Sequence, residues 1–383
     1  MKNQFDNYVD RRGTNSAKWN RYVDGDVIPA WVADMDFPSP QPIIEALTER
    51  VAHGVFGYSR PPKELIQLVI DRMQNRYNWQ VDPDWLVWLP GVVPGLCLSC
   101  ACVGARGDEV MTPTPVYYPF LKAPATAARE KIDLPVTNTS GRWEFDFDLM
   151  RELITDRTRV FLLCNPYNPV GRILTKGELE TVAEICLENN IIICSDEIHS
   201  DLLLDKDKVH VPTAMLGEEV ANNTITLISP SKTFNLAGLG GCAVAIIPNR
   251  QIRTSFRKQA TGLVPGVGVL AYEAALIAYR GDCDEWHEQL LDYLRGNRDY
   301  LQQEIDGTPG LAMSHVEATY LAWIDAGELN VKDPHSLFLA NGVALSEGDQ
   351  FGDSNYVRLN FGCPRSTLEE IVHRMKSATR DLQ

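Results

Sequence analysis

Five short stretches of the chain carry side chains that could do chemistry together. Lys232 stands in "SPSKTFN", between the apolar run "TITLI" and the glycines of "AGLGG", as a lone amine among hydroxyls and an amide. Asp196 follows the apolar "IIICS" in "SDEIH", with His199 three residues on. Asn165 and Asn168 lie in "NPYNPVG", stiffened by prolines. Tyr117 and Tyr118 come after "EVMTPTP" and offer an aromatic face for a planar ring. The stretch "GVVPG", Gly91–Gly95, runs into a helical segment, so backbone N–H groups and a helix N-terminus converge as a phosphate requires. An amine, a carboxylate, an amide, a stacking aromatic and a phosphate cradle are the groups that pyridoxal phosphate (PLP) needs. The amine forms a Schiff base, the carboxylate pairs with the pyridinium nitrogen, and the ring then acts as an electron sink. On this reading Lys232 is the Schiff-base lysine.

Each residue also has a plainer reading. A lone lysine is most often a solvated charge, and an aspartate ending an apolar strand is often a turn or cap residue. It is the assembly of five strand-end loops that shifts the balance. The glycines of "AGLGG" lack the GxGxxG spacing and the following acidic residue of a dinucleotide loop. Cys97, Cys100 and Cys102 lack the second half that a zinc site requires, so no metal is expected.

The elements that must position these loops are visible as well. "DWLVWLP", "GDEVMTPTP", "TRVFLLCNP", "NNIIICSDE", "NTITLISPS" and "GGCAVAIIP" are continuously apolar, the pattern of buried and mostly parallel strands. "LTKGELETVAEICLENN" carries Thr175 and Glu178 in capping-box spacing, with Leu179, Val182, Ala183, Ile185 and Cys186 on one face, and so predicts a crossover helix. Strand, helix, strand in repetition predicts an α/β doubly wound sheet, whose ligands sit beyond the carboxyl ends of the strands. Beyond about residue 280 the pattern becomes that of a smaller α+β unit. The expected organisation is an arm over 1–38 packing on the small domain, a large domain over 39–280 and a small domain over 281–383.

The chain has 383 residues, 44% hydrophobic and 23% charged, enough for a sizeable core. Its formal net charge of -15 makes nucleic acid and anionic membrane surfaces poor partners and favours a small molecule. The polar start has no signal-peptide core and no run reaches membrane-spanning length, so a cytoplasmic protein is expected. Nine scattered cysteines fit reduced core thiols better than a disulfide framework.

Ten stretches, among them "IPAWVADMDFPSP", "HGVFGYS", "PVYYPF", "NPYNPVGR", "SDEIHSDL", "SPSKTFNLAGL" and "VRLNFGCPR", occur in an order that resembles the fold-type I PLP enzymes. Within them the chain is similar to the aminotransferase-like C–S β-lyases. The resemblance covers nearly the whole chain. It implies that Lys232 binds PLP, that Asp196 faces the ring nitrogen, and that Asn168 and His199 lie near the ring's 3-oxygen. Tyr117 would stack on the ring, with Asn168 and Tyr117 also beside the substrate. The backbone amides of Val92 and Val93, with the Ser229 and Ser231 hydroxyls, would hold the phosphate. Tyr58 would reach the phosphate from a second subunit, which implies a homodimer with shared sites. Arg358 would grip the substrate α-carboxylate, a hold suited to its planar fork.

The implied activity is cleavage of L-cystathionine or L-cysteine S-conjugates to a thiol, pyruvate and ammonia, with an aminotransferase as the alternative. Related aminotransferases often carry an arginine near Gly240, and its absence leans toward lyase. A PLP-sensing DNA-binding regulator is disfavoured, because the first 38 residues show no helix-turn-helix pattern.

Overall fold

The computed structural model describes residues 3–22, 25–139, 141–380 and 382. Its strands, in chain order, are β1 (Ile28–Pro29), β2 (Leu86–Leu89), β3 (Glu109–Thr114), β4 (Glu130–Thr139), β5 (Arg142–Phe145), β6 (Thr158–Cys164), β7 (Ile192–Asp196), β8 (Thr224–Ile228), β9 (Ala243–Ile246), β10 (Ala312–Met313), β11 (Leu321–Asp325), β12 (Val343–Ala344), β13 (Ser346–Glu347) and β14 (Tyr356–Asn360).

An eight-stranded sheet runs β2-β9-β8-β7-β6-β3-β4-β5. The neighbours β8, β7, β6, β3 and β4 pair in parallel, whereas β9 is antiparallel to both β2 and β8, and β5 to β4. All six apolar runs are strands of this sheet. Two features were not legible: the reversed direction of β9, and the β4–β5 hairpin. Within β4 only Leu134 and Val136 are buried, so it lacks the continuous apolar run that marks its neighbours. The crossover helix Lys176–Glu188 starts as its sequence predicts. Thr175 accepts from the Glu178 N–H at 3.3 Å, and the Glu178 carboxylate accepts from the Thr175 N–H at 2.7 Å. Its apolar face, Leu179 to Cys186, is buried in the main core. Because the central strands share one direction, the loops after β3, β6, β7 and β8 leave the same edge of the sheet.

A second sheet, β10-β11-β14-β13, is antiparallel throughout. The helices Asp284–Asp306 and Arg365–Arg380 share an apolar cluster with it, built on Leu290, Leu294, Leu301, Leu368 and Met375. Phe5, Ala30, Met35 and Phe37 from the start of the chain enter this same cluster, and β1 pairs in parallel with β12.

Residues 31–37 run between the two sheets as a bent strap, fastened by side chains. Asn235, in the left-handed region at φ 57°, accepts from the Met35 N–H at 3.0 Å and donates to the Met35 and Phe37 carbonyls at 2.9 Å each. Asn360 Nδ2 donates to the carbonyls of Val32 and Asp34. Beneath the strap, buried Asp36 accepts from Lys18 Nζ at 2.7 Å, Arg11 Nη1 at 2.8 Å and Trp19 Nε1 at 2.9 Å. Burial alone would raise the Asp36 pKa, but Lys18, Trp19 and Arg11 together hold it below the usual carboxylate value. The stability this cluster contributes is therefore present above the unfolded carboxylate range and is lost as pH falls through the lowered value. Asp36→Ala should cost about 3–5 kcal/mol in denaturant unfolding, because it leaves the Lys18 ammonium, only 1% exposed, with the Asp34 carboxylate 3.8 Å away as its remaining anionic neighbour. A loss below about 1 kcal/mol would show that Arg11 and Lys18 find other partners.

Candidate active site

The loops at the shared sheet edge close on one cavity of ≈180 Å³. Lys232 enters it from the turn that follows β8. Its Nζ donates to the Ala33 carbonyl of the strap at 2.6 Å. Burial, and then the Arg358 guanidinium, push the Lys232 pKa down to about 8, against the smaller pull of Asp34 and Asp196. Asp196 ends β7 and is buried. Burial, with some repulsion from Glu197, pushes its pKa up to about 7, although it accepts the Ile198 N–H at 3.1 Å and feels Lys232.

His199 lies in the turn after β7, its ring edge-on to Tyr320 at 6.3 Å between centroids. Burial, then Lys232 and Arg358, push its pKa down to about 3, so the imidazole is neutral. Its Nδ1 is buried with no partner among the described residues. Asn168, in the loop after β6, is tied to Tyr117, whose N–H donates to the Asn168 carbonyl at 3.0 Å. Tyr117 lines the cavity directly, whereas the exposed Tyr118 packs against it at 4.8 Å and does not reach the cavity wall.

Arg358 projects from β14 and is only 3% exposed. Its Nη1 donates to Asn168 Oδ1 at 3.0 Å, and its Nη2 to the Trp31 carbonyl at 2.7 Å and Ser346 Oγ at 3.2 Å. The guanidinium lies 4.7 Å from the Phe351 ring centroid. Burial pushes its pKa down to about 10. Among the described residues it has no carboxylate partner, and its Nε has no partner of any kind. A buried guanidinium held by neutral acceptors alone is chemically incomplete, and an incoming carboxylate completes it.

The opposite end of the cavity is made of backbone. Gly91, Val92 and Val93 open the helix Val92–Cys102, which has no side-chain cap, so its first N–H groups are free to meet an anion. Gly240 and Gly241 close the same end at φ 83° and 69°. A Cβ on Gly241 would stand 3.3 Å from the Pro90 carbonyl oxygen, so glycine lets the two loops approach. Ser231 lines this end. Ser229 does not line the wall: its hydroxyl donates to the Gly241 carbonyl and pairs with Ser231 Oγ at 3.0 Å. Tyr58 is also away from the cavity, fully exposed in a separate groove with Phe56 and Val267. Cys97, Cys100 and Cys102 sit on the helix Val92–Cys102, their thiol pKa values raised chiefly by burial.

The cavity's polar groups suit PLP by their own chemistry: an amine, a carboxylate, a neutral histidine, an amide, a tyrosine ring, and free amides at a helix start. The sequence reading missed the strap. Its contributions are main-chain carbonyls of Trp31 and Ala33, which carry no side-chain signature. The clue available was the run "IPAWVADMDFPSP", whose apolar and Pro-flanked residues mark a buried non-helical segment.

Comparison with known proteins follows the same lines. Cystathionine beta-lyase PatB of Bacillus subtilis (strain 168) is 37% identical over 390 residues, covering 98% of this chain and 99% of that one. The crystal structure of OvoB superposes with a TM-score of 0.95 at 42% identity, covering 98% of each chain. Cystalysin from Treponema denticola, whose crystal structure contains a pyridoxal 5'-phosphate cofactor, superposes with a TM-score of 0.93 at 32% identity over the whole of both chains. Residues 31–375 match aminotransferase class I and II, a span that takes in the strap, the strand-end loops and Arg358 alike, and the chain belongs to that family.

Proposed function

We propose that the protein is a PLP-dependent carbon–sulfur β-lyase that cleaves L-cystathionine or other L-cysteine S-conjugates to a thiol, pyruvate and ammonia. One observation carries the reading. Lys232, Asp196, Asn168, His199 and Tyr117 meet on a single cavity beside a buried arginine that has no carboxylate of its own among the described residues. The lyase name of the 37% identical relative, and glycine at 240, favour β-elimination over amino transfer.

Bound PLP supplies an electrophilic carbonyl and a protonated pyridine ring that stores the electron pair left at Cα until the thiolate departs from Cβ. The chain's own residues do the rest. Asp196 would pair with the ring nitrogen, whose positive charge would lower the carboxyl from about 7 and keep it ionised. Neutral His199 and Asn168 would take the ring's oxygen edge, and Tyr117 would cover one face. The amides of Gly91, Val92 and Val93 and the Ser231 hydroxyl hold the phosphate, with Ser229 fixing Ser231 through their 3.0 Å hydrogen bond. Tyr58 completes this end from the partner of a homodimer, a role its full exposure suits. Arg358 binds the substrate carboxylate with a fork whose orientation Asn168 and Ser346 fix. With the carboxylate so held, the Cα–H bond points toward Lys232, the general base. An amine of pKa about 8 is partly neutral at ambient pH and suits this task.

On this reading residues 39–280 carry the cofactor, while Arg358 in 281–383 and the strap of the 1–38 arm bring the substrate. No helix among the described residues is long and apolar enough to cross a membrane. Nine free cysteines, most of them buried, support a reducing, cytoplasmic setting.

Lys232→Ala should abolish both pyruvate release from L-cystathionine and the visible absorbance band that PLP gains on covalent capture. Retained lyase activity in that variant would overturn the assignment. With a keto-acid acceptor and an amino donor, new amino acid formed without pyruvate release would point instead to an aminotransferase. Covalent capture of PLP by the apoprotein needs the neutral amine, so its rate should rise about tenfold per pH unit below the Lys232 pKa of about 8 and level off above it. A capture rate independent of pH between 6 and 9, followed by stopped-flow absorbance, would contradict the lowered pKa.

A further inference from the structure

The cavity adjoins a wider chamber of ≈470 Å³, with Ala33, Tyr117 and Lys232 as their common wall and Arg358 on the chamber's own side. Among the described residues, every charged residue lining this chamber is a cation: Lys232 and Arg358 within, Arg21 and Lys122 toward the solvent. That is contrary to the molecule as a whole, which has 51 acidic and 36 basic residues. The Arg21 guanidinium lies 4.8 Å from the Trp31 ring centroid, and Lys122 Nζ lies 5.2 Å from that of Tyr118. Neither cation has a carboxylate within 4.0 Å among the described residues. An aromatic face holds a cation in place without neutralising it, and the same rings line the chamber with hydrocarbon. Both cations are exposed, so their pull on an anion acts through solvent and is weakened by salt.

Arg358 is taken by the substrate's α-carboxylate, so the outer pair is left for a second negative group on the far side of the sulfur. We infer that Arg21 and Lys122 select cysteine S-conjugates whose leaving thiol carries an anionic group, a carboxylate above all. This rests on the lyase reading. The chamber takes such a conjugate with the amino-acid end at Arg358 and Lys232, and with the S-substituent running between Trp31 and Tyr118 toward the outer cations.

The test compares S-carboxymethyl-L-cysteine with S-carbamoylmethyl-L-cysteine, two conjugates of nearly the same shape, one of which lacks the charge. In the wild-type holoenzyme kcat/KM for pyruvate release should favour the acid by about fivefold or more. The amide's thiol is intrinsically the better leaving group, so that preference would come from the protein. Added salt should shrink the ratio. In the double variant Arg21→Gln/Lys122→Gln the ratio should fall to one or below, where the leaving-group difference alone would put it; any general loss of activity divides out of it. A wild-type ratio at or below one overturns the inference, and so does a preference that survives in the double variant. If neither conjugate releases pyruvate, the same assay with L-cystathionine tests the lyase reading, which fails if that too is inert. Calorimetric dissociation constants for the same pair then decide the anion preference: tighter binding of the acid that disappears in the double variant supports it, and equal affinities overturn it.

Discussion

Removal of water from Lys232, Asp196 and Arg358 in one place is the constraint on which the rest of the site depends. Each loses hydration it would have had in the unfolded chain, and the shifts of all three record that loss before any pairwise effect. Among the described residues neither Lys232 nor Arg358 has a carboxylate within ion-pair distance, although Asp34 and Asp196 pull on Lys232 from further off. The fold meets the two cations with main-chain carbonyls, Ala33 for Lys232 and Trp31 for Arg358. A carbonyl satisfies a donor without cancelling its charge, so the guanidinium stays available to an incoming anion. A carboxylate in the same position would pair with Arg358 and compete with every substrate.

The strap is what makes those carbonyls available, and it explains why a polar segment lies so deep. Asn235 comes from the same loop as Lys232, and Asn360 from the same strand as Arg358. Each functional residue is thus accompanied by an asparagine that fastens the strap near it. Tyr320 adds a third tie, its hydroxyl donating to the Ala33 carbonyl at 3.0 Å. One bent segment is therefore held from both sheets at once, and the distance between Lys232 and Arg358 is set by a short run of backbone and not by the packing of the sheets alone.

Much of this was legible in the sequence. Continuously apolar runs gave the parallel strands, and the polar residues just beyond them, Asp196, Asn168 and Lys232, stand together because parallel strands end at one edge. The Thr175–Glu178 capping box is as its spacing predicts. What escaped has a common physical cause. The strap works through carbonyls, which every residue has, so no residue type announces it. The direction of β9 depends on the connection before it and not on its own apolar run. Leu134 and Val136 are too few to mark β4. The phosphate contact that the resemblance implies for Ser229 is one its hydroxyl, turned toward Gly241 and Ser231, would make through Ser231.

The strap also bears on how the molecule is made. The carbonyls of Trp31, Val32 and Ala33 take hydrogen bonds from side chains 199 to 328 positions later in the chain. At synthesis rates of about 5–20 residues per second, the strap leaves the ribosome tens of seconds before its last partners exist. Met35 and Phe37, which end in the core of the second sheet, remain uncovered for that interval. Contacts so far apart in sequence form slowly, because a long loop must close before they give any return. The nascent chain is thus most open to aggregation or chaperone capture at its beginning, and the catalytic pocket is among the last parts of the protein to be finished.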